Sequence, residues 1–286
     1  MTGALSSFTR LIKNLSNIGS TESKNGDEFE KVHGNETIEI ATSYDPEKYW
    51  ERRLTRHFDL RAVGHISYSQ RYNAWLYKRK QTVIASFFKN FALDNCHVLD
   101  IGCGTGFFVS FYSKRRANVT GIDITDASVN ELRKRFVGPF LKLDISDPSF
   151  CPPGRFDIVN IWDVLYHIPE DAAFERAIDN IARSMSPGGL LLLTDYLANK
   201  SDIPIASHVK GRCLQTYVDL LSRQGFTLVR IRPLYRALDT GHFGLIDNYL
   251  GPIYFMLDSF EKNLAPNHLC FSAWRYKNDP NVAESR

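Results

Sequence analysis

Short apolar runs recur along the chain from about residue 97 onward, and most end on an acid. The runs 98–101, 119–124, 140–144, 156–161 and 189–195 are rich in Val, Ile and Leu. They are nearly continuous rather than alternating, as expected for strands covered on both faces of a parallel sheet. The stretch 107–118 between the first two runs suits one helix. Runs at 226–231 and 269–276 predict a sixth and a seventh strand, the last with Phe271, Ala273 and Arg275 on one face. Upstream, Asp45 ahead of 47–57 reads as a helix cap. The stretch 68–91 reads as a helix with Tyr72, Trp75, Leu76, Val83, Ile84 and Phe87 on its apolar side. The stretch 209–224, closed by Gly225, predicts a further amphipathic helix. The alternation of strands and helices predicts an α/β fold: a Rossmann-like, seven-stranded, mostly parallel sheet sandwiched by helices. A helical N-terminal cap precedes it, and an insertion separates the last two strands.

The first run continues as Asp100-Ile101-Gly102-Cys103-Gly104-Thr105-Gly106. Three glycines at alternate positions leave no side chains where the chain turns, so a ligand can approach the backbone and the next helix N-terminus. The G-x-G-x-G spacing is tighter than the G-x-G-x-x-G dinucleotide fingerprint. An acid directly before the loop would repel a pyrophosphate and suits a ligand with a cationic end. About seventeen residues past Gly106 the second run ends at Asp123, where a carboxylate can accept bonds from ribose hydroxyls. The third run ends at Asp144, within reach of an adenine amino group. Asp100, Asp123 and Asp144 are therefore expected along one edge of one sheet.

The order D-I-G-C-G-T-G, then G-I-D, L-D and F-D-I-V-N, is similar to class I S-adenosylmethionine-dependent methyltransferases, over roughly residues 95 to 232. That resemblance implies S-adenosyl-L-methionine as cofactor and S-adenosyl-L-homocysteine as product. It implies that Asp100 and the loop residues Gly102, Cys103, Gly104 and Gly106 hold the amino-acid end. Asp123 would hold the ribose, Ile124 would pack on adenine, and Asp144 with Ile145 would meet the adenine edge; Trp162 joins this set. The segments 49–54 and 63–66 look like a poorly characterised bacterial small-molecule branch of these enzymes.

Size and charge narrow the reading. The chain has 286 residues, with 35 Lys and Arg against 32 Asp and Glu, a formal net charge of +3. That balance does not suit a dedicated nucleic-acid surface. The runs Lys78-Arg79-Lys80 and Lys114-Arg115-Arg116 read as solvated helix faces. Five cysteines without a C-x-x-C pair predict neither a zinc site nor a disulfide framework, and a reducing cytoplasm is the expected compartment. No run approaches the length of a membrane span. The expected divisions are 1–43, an N-terminal helix with Leu5, Phe8, Leu11, Ile12 and Leu15 followed by a polar linker; 44–94, a helical cap; and 95–286, the methyltransferase domain.

For chemistry, His167 in Trp162-Asp163-Val164-Leu165-Tyr166-His167 follows the fourth strand closely and is the leading general base, because its charge changes near neutral pH. Asp163 reads as the cap of the next helix. Tyr49, His65 and Tyr72 in the cap, with Tyr235 and His242 in the aromatic insertion 234–266, are the expected substrate contacts. Asp195, with Asn160 or Asp163, lacks the paired acid that a metal site needs, so no metal is expected. The expected partner is a small metabolite, aromatic or glycan-like, methylated on oxygen or nitrogen. Methylation of RNA or protein, or a non-catalytic cofactor-binding scaffold, are the alternatives. The oligomeric state stays open, a homodimer included.

Overall fold

The computed structural model describes residues 44–65, 68–151, 153–239 and 247–277. The expected N-terminal helix and linker of 1–43, and His242, lie outside the described residues. Helix α1 (Pro46–Arg56) starts where the Asp45 carboxylate accepts the Lys48 N–H at 3.1 Å, with Pro46 in the first turn. After α2 (Leu60–Val63), helix α3 (Gln70–Phe87) begins at Ser69, whose hydroxyl accepts the Tyr72 N–H. The expected apolar side of α3 is buried at Tyr72, Leu76, Val83 and Ile84.

Strand and helix then alternate: β1 (His97–Ile101), α4 (Phe107–Ser113), β2 (Asn118–Asp123), α5 (Asp126–Arg135), β3 (Phe140–Lys142) and β4 (Phe156–Ile161). A 3-10 turn (Leu165–His167), α6 (Asp171–Arg183), β5 (Met185–Asp195), β6 (Ile203–Ala206), β7 (Val209–Gly211), α7 (Leu214–Arg223), β8 (Phe226–Pro233), α8 (Asp247–Phe260) and β9 (Cys270–Tyr276) complete the order. The main sheet runs β3-β2-β1-β4-β5-β9-β8, parallel except for β9, which is antiparallel to both neighbours. Alternate residues of β1 and β4 enter opposite cores. Val98 and Ile158 pack on one face, Leu99, Ile101, Val159 and Ile161 on the other. Strand order reverses between β1 and β4, the place where an open α/β sheet leaves a crevice beyond its strand ends.

Three expectations change. Residues 209–224 are not one helix: Val209–Gly211 pairs with Ile203–Ala206 in a separate hairpin, and α7 begins only at Leu214. The start is set by Asp202, whose carboxylate accepts the Cys213 N–H at 2.9 Å and the Thr216 hydroxyl at 2.7 Å. This cap stands eleven residues before Cys213, so local periodicity could not reveal it. The run Lys78-Arg79-Lys80 is not a solvated face either. Arg79 and Lys80 are buried, and Arg79 Nε donates to the Leu234 carbonyl at 2.7 Å. Finally, Asp163 caps no helix. The following turn starts at Val164 without a side-chain cap, and Asp163 is bonded elsewhere.

The described part of the insertion packs on α3. The Asp258 carboxylate accepts the N–H groups of Arg236, Ala237 and Leu238, and the Tyr72 hydroxyl donates to the Leu238 carbonyl at 2.8 Å.

Candidate active site

A cavity of about 310 Å³ opens at the carboxyl ends of β1, β2 and β4, under α1 and α2. The glycine loop forms its floor. Gly102 and Gly104 have φ of +67° and +48°, a region that side-chain-bearing residues rarely adopt. A Cβ on Gly102 would stand 2.4 Å from Val164 Cγ2, and one on Gly104 2.9 Å from Val63 Cγ1. The loop is clamped by β2: the Ile122 carbonyl accepts both the Gly102 and Cys103 N–H groups, at 2.8 and 3.1 Å.

Asp123 completes the clamp. Its Oδ2 accepts the Gly104 N–H at 2.9 Å, and its Oδ1 accepts the Thr125 N–H at 3.0 Å and hydroxyl at 2.7 Å. Burial nevertheless pushes its carboxyl above the ordinary range. Asp123 lines the cavity beside Ile124, Asp144 and Ile145. Asp144 is held by Ser146, which donates both its N–H and its hydroxyl to Oδ1 at 2.8 Å.

Asp100 stands behind the loop rather than on the cavity wall. Asn160 donates to its Oδ1 at 2.7 Å, while Oδ2 is buried with no hydrogen-bond partner among the described residues. Burial drives its pKa to about 7, with the Asp123 charge adding to the rise and the Asn160 bond opposing it. Such a half-satisfied buried carboxyl calls for a cation or donor close by.

At the opposite end, Trp162, Asp163, Val164 and His167 form the wall. The His167 ring meets Trp50 edge-on at 5.0 Å and lies almost parallel to His208 at 5.9 Å. His167 Nδ1 is 3.4 Å from the His208 carbonyl, which can only accept, so Nδ1 carries the hydrogen and Nε2 the lone pair. Burial, then the neighbouring His208, lowers its pKa to about 4. The imidazole is therefore neutral at pH 7, but its basicity is far below the optimum for proton removal there.

Asp163 has φ +58° and shares a buried ion pair with Lys80; its Oδ1 accepts the Thr194 hydroxyl at 2.9 Å. The Lys80 ammonium also lies 4.1 Å from the Tyr77 ring centroid.

The cavity thus gathers Gly102, Gly104, Asp123, Ile124, Asp144, Ile145, Trp162 and His167, while Asp100, Cys103 and Gly106 sit behind its wall. Of the expected substrate contacts, Tyr49 packs on Trp50 and His208 and accepts from Arg53, His65 stacks on Tyr68, and Tyr72 and Tyr235 are buried. None of these four lines the cavity. Residues the sequence reading missed are Tyr44, Tyr77, Lys80 and His208. Lys80 had a usable signal: it lies four residues from Leu76 and three from Val83, on the apolar stripe of α3, where an unpaired lysine is costly. No group of His, Cys, Asp and Glu that could hold a metal occurs among the described residues.

An acid-rimmed glycine loop thus stands at the switch point of this α/β sheet, where the fold leaves a crevice for a ligand. The chain belongs to the methyltransferase domain family, whose model matches residues 70–239. It is 32% identical over 107 residues to the ubiquinone biosynthesis O-methyltransferase of Pseudomonas aeruginosa (strain UCBPP-PA14), covering 36% of this chain and 45% of that protein. The chain spans about half the length of the curated relatives it matches. Among solved structures, magnesium protoporphyrin IX methyltransferase from Synechocystis PCC 6803 with bound SAM has a TM-score of 0.55 at 17% identity, covering 81% of this chain and 95% of that one. N-methyltransferase NodS from Bradyrhizobium japonicum WM9 in complex with S-adenosyl-L-homocysteine has a TM-score of 0.53 at 17% identity, covering 80% and 100%. These two likenesses establish the fold. No described helix is long and apolar enough to cross a membrane.

Proposed function

We propose that the protein binds S-adenosyl-L-methionine and transfers its methyl group to an oxygen or nitrogen of a small aromatic or glycan-like metabolite. The observation that carries this reading is the single cavity joining the Gly102–Gly104 loop, Asp123 and the Asp144–Ile145 corner to the Trp162–His167 wall. Gly102 and Gly104 leave room for the amino-acid end, with the Asp100 carboxyl behind them as counter-charge. Asp123, with three of about four acceptor positions already taken, keeps one on Oδ2 for a ribose hydroxyl, and Ile124 and Ile145 flank an adenine whose edge faces Asp144. The bound sulfonium supplies an already activated methyl group, so the protein's task is to position the partners and exclude water. Tyr44, Trp50, Leu54 and Val63 cover the cavity for that purpose. The relatives named as O- and N-methyltransferases, and the neighbours holding the cofactor or its product, support the same reading.

A small acceptor is favoured over a polyanion by the lining. It contains Asp123, Asp144, Asp163 and Glu170 but no lysine or arginine. The test is calorimetric titration with the cofactor and its demethylated product, followed by an assay of product release across a metabolite library. Absence of binding removes the reading; binding without release for any acceptor would reduce the protein to a scaffold.

A further inference from the structure

Helix α8 has two apolar sides, and only one of them is covered in the described structure. The inner side packs on α3. A Cβ on Gly251 would stand 2.4 Å from Trp75 Cδ1, the Tyr254 ring meets Tyr72 at 6.5 Å, and the Phe255 ring lies 5.7 Å from Trp75. Asp258, buried on the same side, is taken up by the N–H groups of residues 236–238. Among the described residues of the helix, those left exposed are Tyr249, Pro252, Ile253, Met256, Ser259 and Phe260, so the outer face carries no charge. Tyr249 and Phe260 are 71% and 73% exposed, and Met256 is 54% exposed. Two cations of α3 stand beside this helix, each held over a ring: Arg71 lies 5.5 Å from the Tyr249 centroid and Lys78 4.5 Å from that of Trp75. A helix that is apolar on both sides belongs in an interior, and a bare apolar stripe of large side chains marks a contact surface.

The stripe has the spacing of a helix–helix seam. Tyr249, Ile253, Met256 and Phe260 follow one another at intervals of four, three and four residues, the d-a-d-a order of a heptad, in which each apolar side chain packs between those of a facing helix. The order is also symmetric about the midpoint between Tyr254 and Phe255. Tyr249 and Phe260 are equidistant from that point, and so are Ile253 and Met256. A twofold axis through the midpoint lays α8 of a second copy antiparallel on this one. Tyr249 of each copy then meets Phe260 of the other, and Ile253 of each meets Met256 of the other. Ring faces ring and aliphatic chain faces thioether, the self-matching that an isologous contact requires. We propose that the outer face of α8 is the contact surface between two copies of this chain, joined antiparallel in that register. A lipid surface needs no such symmetry, and helices that lie on membranes carry Lys or Arg along their own exposed face, where α8 has none. None of the four seam residues lines the cavity, so the proposal stands apart from the methyl-transfer reading.

The experiment is sedimentation equilibrium of the full chain over micromolar concentrations, with Ile253→Lys and Met256→Glu run separately and as an equimolar mixture. Both positions are exposed, so each variant should keep the wild-type fold, checked by circular dichroism and thermal unfolding of dilute samples. The wild type is expected to dimerise as concentration rises. Each variant alone should weaken the dimer at least about tenfold, since it buries two unpaired charges against apolar partners. In the mixture, the ammonium introduced at 253 faces the carboxylate introduced at 256 in one layer, while the matching layer keeps its native Ile253 and Met256. Association should therefore be tighter than for either variant alone by at least about fivefold. A parallel pairing sets each position against its own counterpart and gives no such rescue. A wild type that stays monomeric, a dimer that both variants leave intact, or a mixture no tighter than its parts each overturns the proposal. A monomeric wild type that binds vesicles of phosphatidylglycerol and phosphatidylcholine, and no longer does so as Met256→Glu, would overturn it in favour of a lipid surface.

Discussion

The buried carboxyl of Asp100 makes cofactor binding measurable as proton release. In the free protein its pKa stands near 7, so about half of the molecules carry the proton at pH 7. A ligand ammonium lodged at Gly102–Gly104 would lie just in front of it. An opposite charge at that range lowers a carboxyl pKa by about 1–3. The ligand therefore prefers ionised Asp100, and protons compete with it below pH 7. Affinity should rise with pH between 5 and 8, by a factor between about ten and a hundred, and level off above. Binding at pH 7 should expel about 0.4–0.5 proton. The assay is calorimetry with S-adenosyl-L-homocysteine in buffers of different ionisation enthalpy, where the slope of observed enthalpy against buffer enthalpy counts protons. Asp100→Asn should abolish the slope and the pH dependence together. A wild-type slope of zero at pH 7, or one that persists in Asp100→Asn, would refute the placement of the ligand's cationic end.

Asp123→Ala should weaken S-adenosyl-L-homocysteine by about 1–3 kcal/mol in the same titration, since it removes the acceptor of three loop hydrogen bonds as well as the proposed bond to ribose. Gly104→Val should abolish binding, checked by thermal shift, because its branched side chain must clear Val63 from a left-handed backbone. His167→Ala should cost less than about tenfold in turnover with cofactor affinity unchanged. A loss of 10²-fold or more would return the base to this histidine. Asp195, buried beside Tyr217 with a pKa near 7, binds a proton in the folded state at pH values where the unfolded chain does not. Its contribution to stability is therefore present below about pH 4 and falls progressively as pH rises to 7. Thermal unfolding of Asp195→Asn should show a weaker loss of stability over that window than the wild type.

How far the sequence could be read depended on the range of the interactions involved. The seven strands, the glycine loop and the acids at 100, 123 and 144 are local matters. Apolar runs dictate buried strands, and alternate glycines dictate a turn that side chains would block. The hairpin at 203–211 pairs residues only three to eight apart, but its strands are short and little buried, so no apolar run marks them, and the Asp202 cap of the next helix stands eleven residues before Cys213. The substrate side suffered most. Tyr72 and Tyr235 were expected at the acceptor from their position and chemistry, yet the Tyr72 hydroxyl is taken up by the Leu238 carbonyl. His208, on the turn of the missed hairpin, sets which nitrogen of His167 carries the hydrogen.

From residue order alone came the sheet and the loop, because each follows from periodicity and from what a backbone can do without a Cβ, while the ligand was implied by a resemblance. Only the folded chain decided which polar groups stand alone and which are paired. Lys80 and Asp163 are eighty-three residues apart in the chain, and although the apolar stripe around Lys80 signals a need for a partner, nothing local says which acid it is. Burial then sets the protonation of Asp100 and His167, pushing one up and the other down. Desolvation and charge pairing are properties of surroundings, and those surroundings exist only once distant segments have packed together.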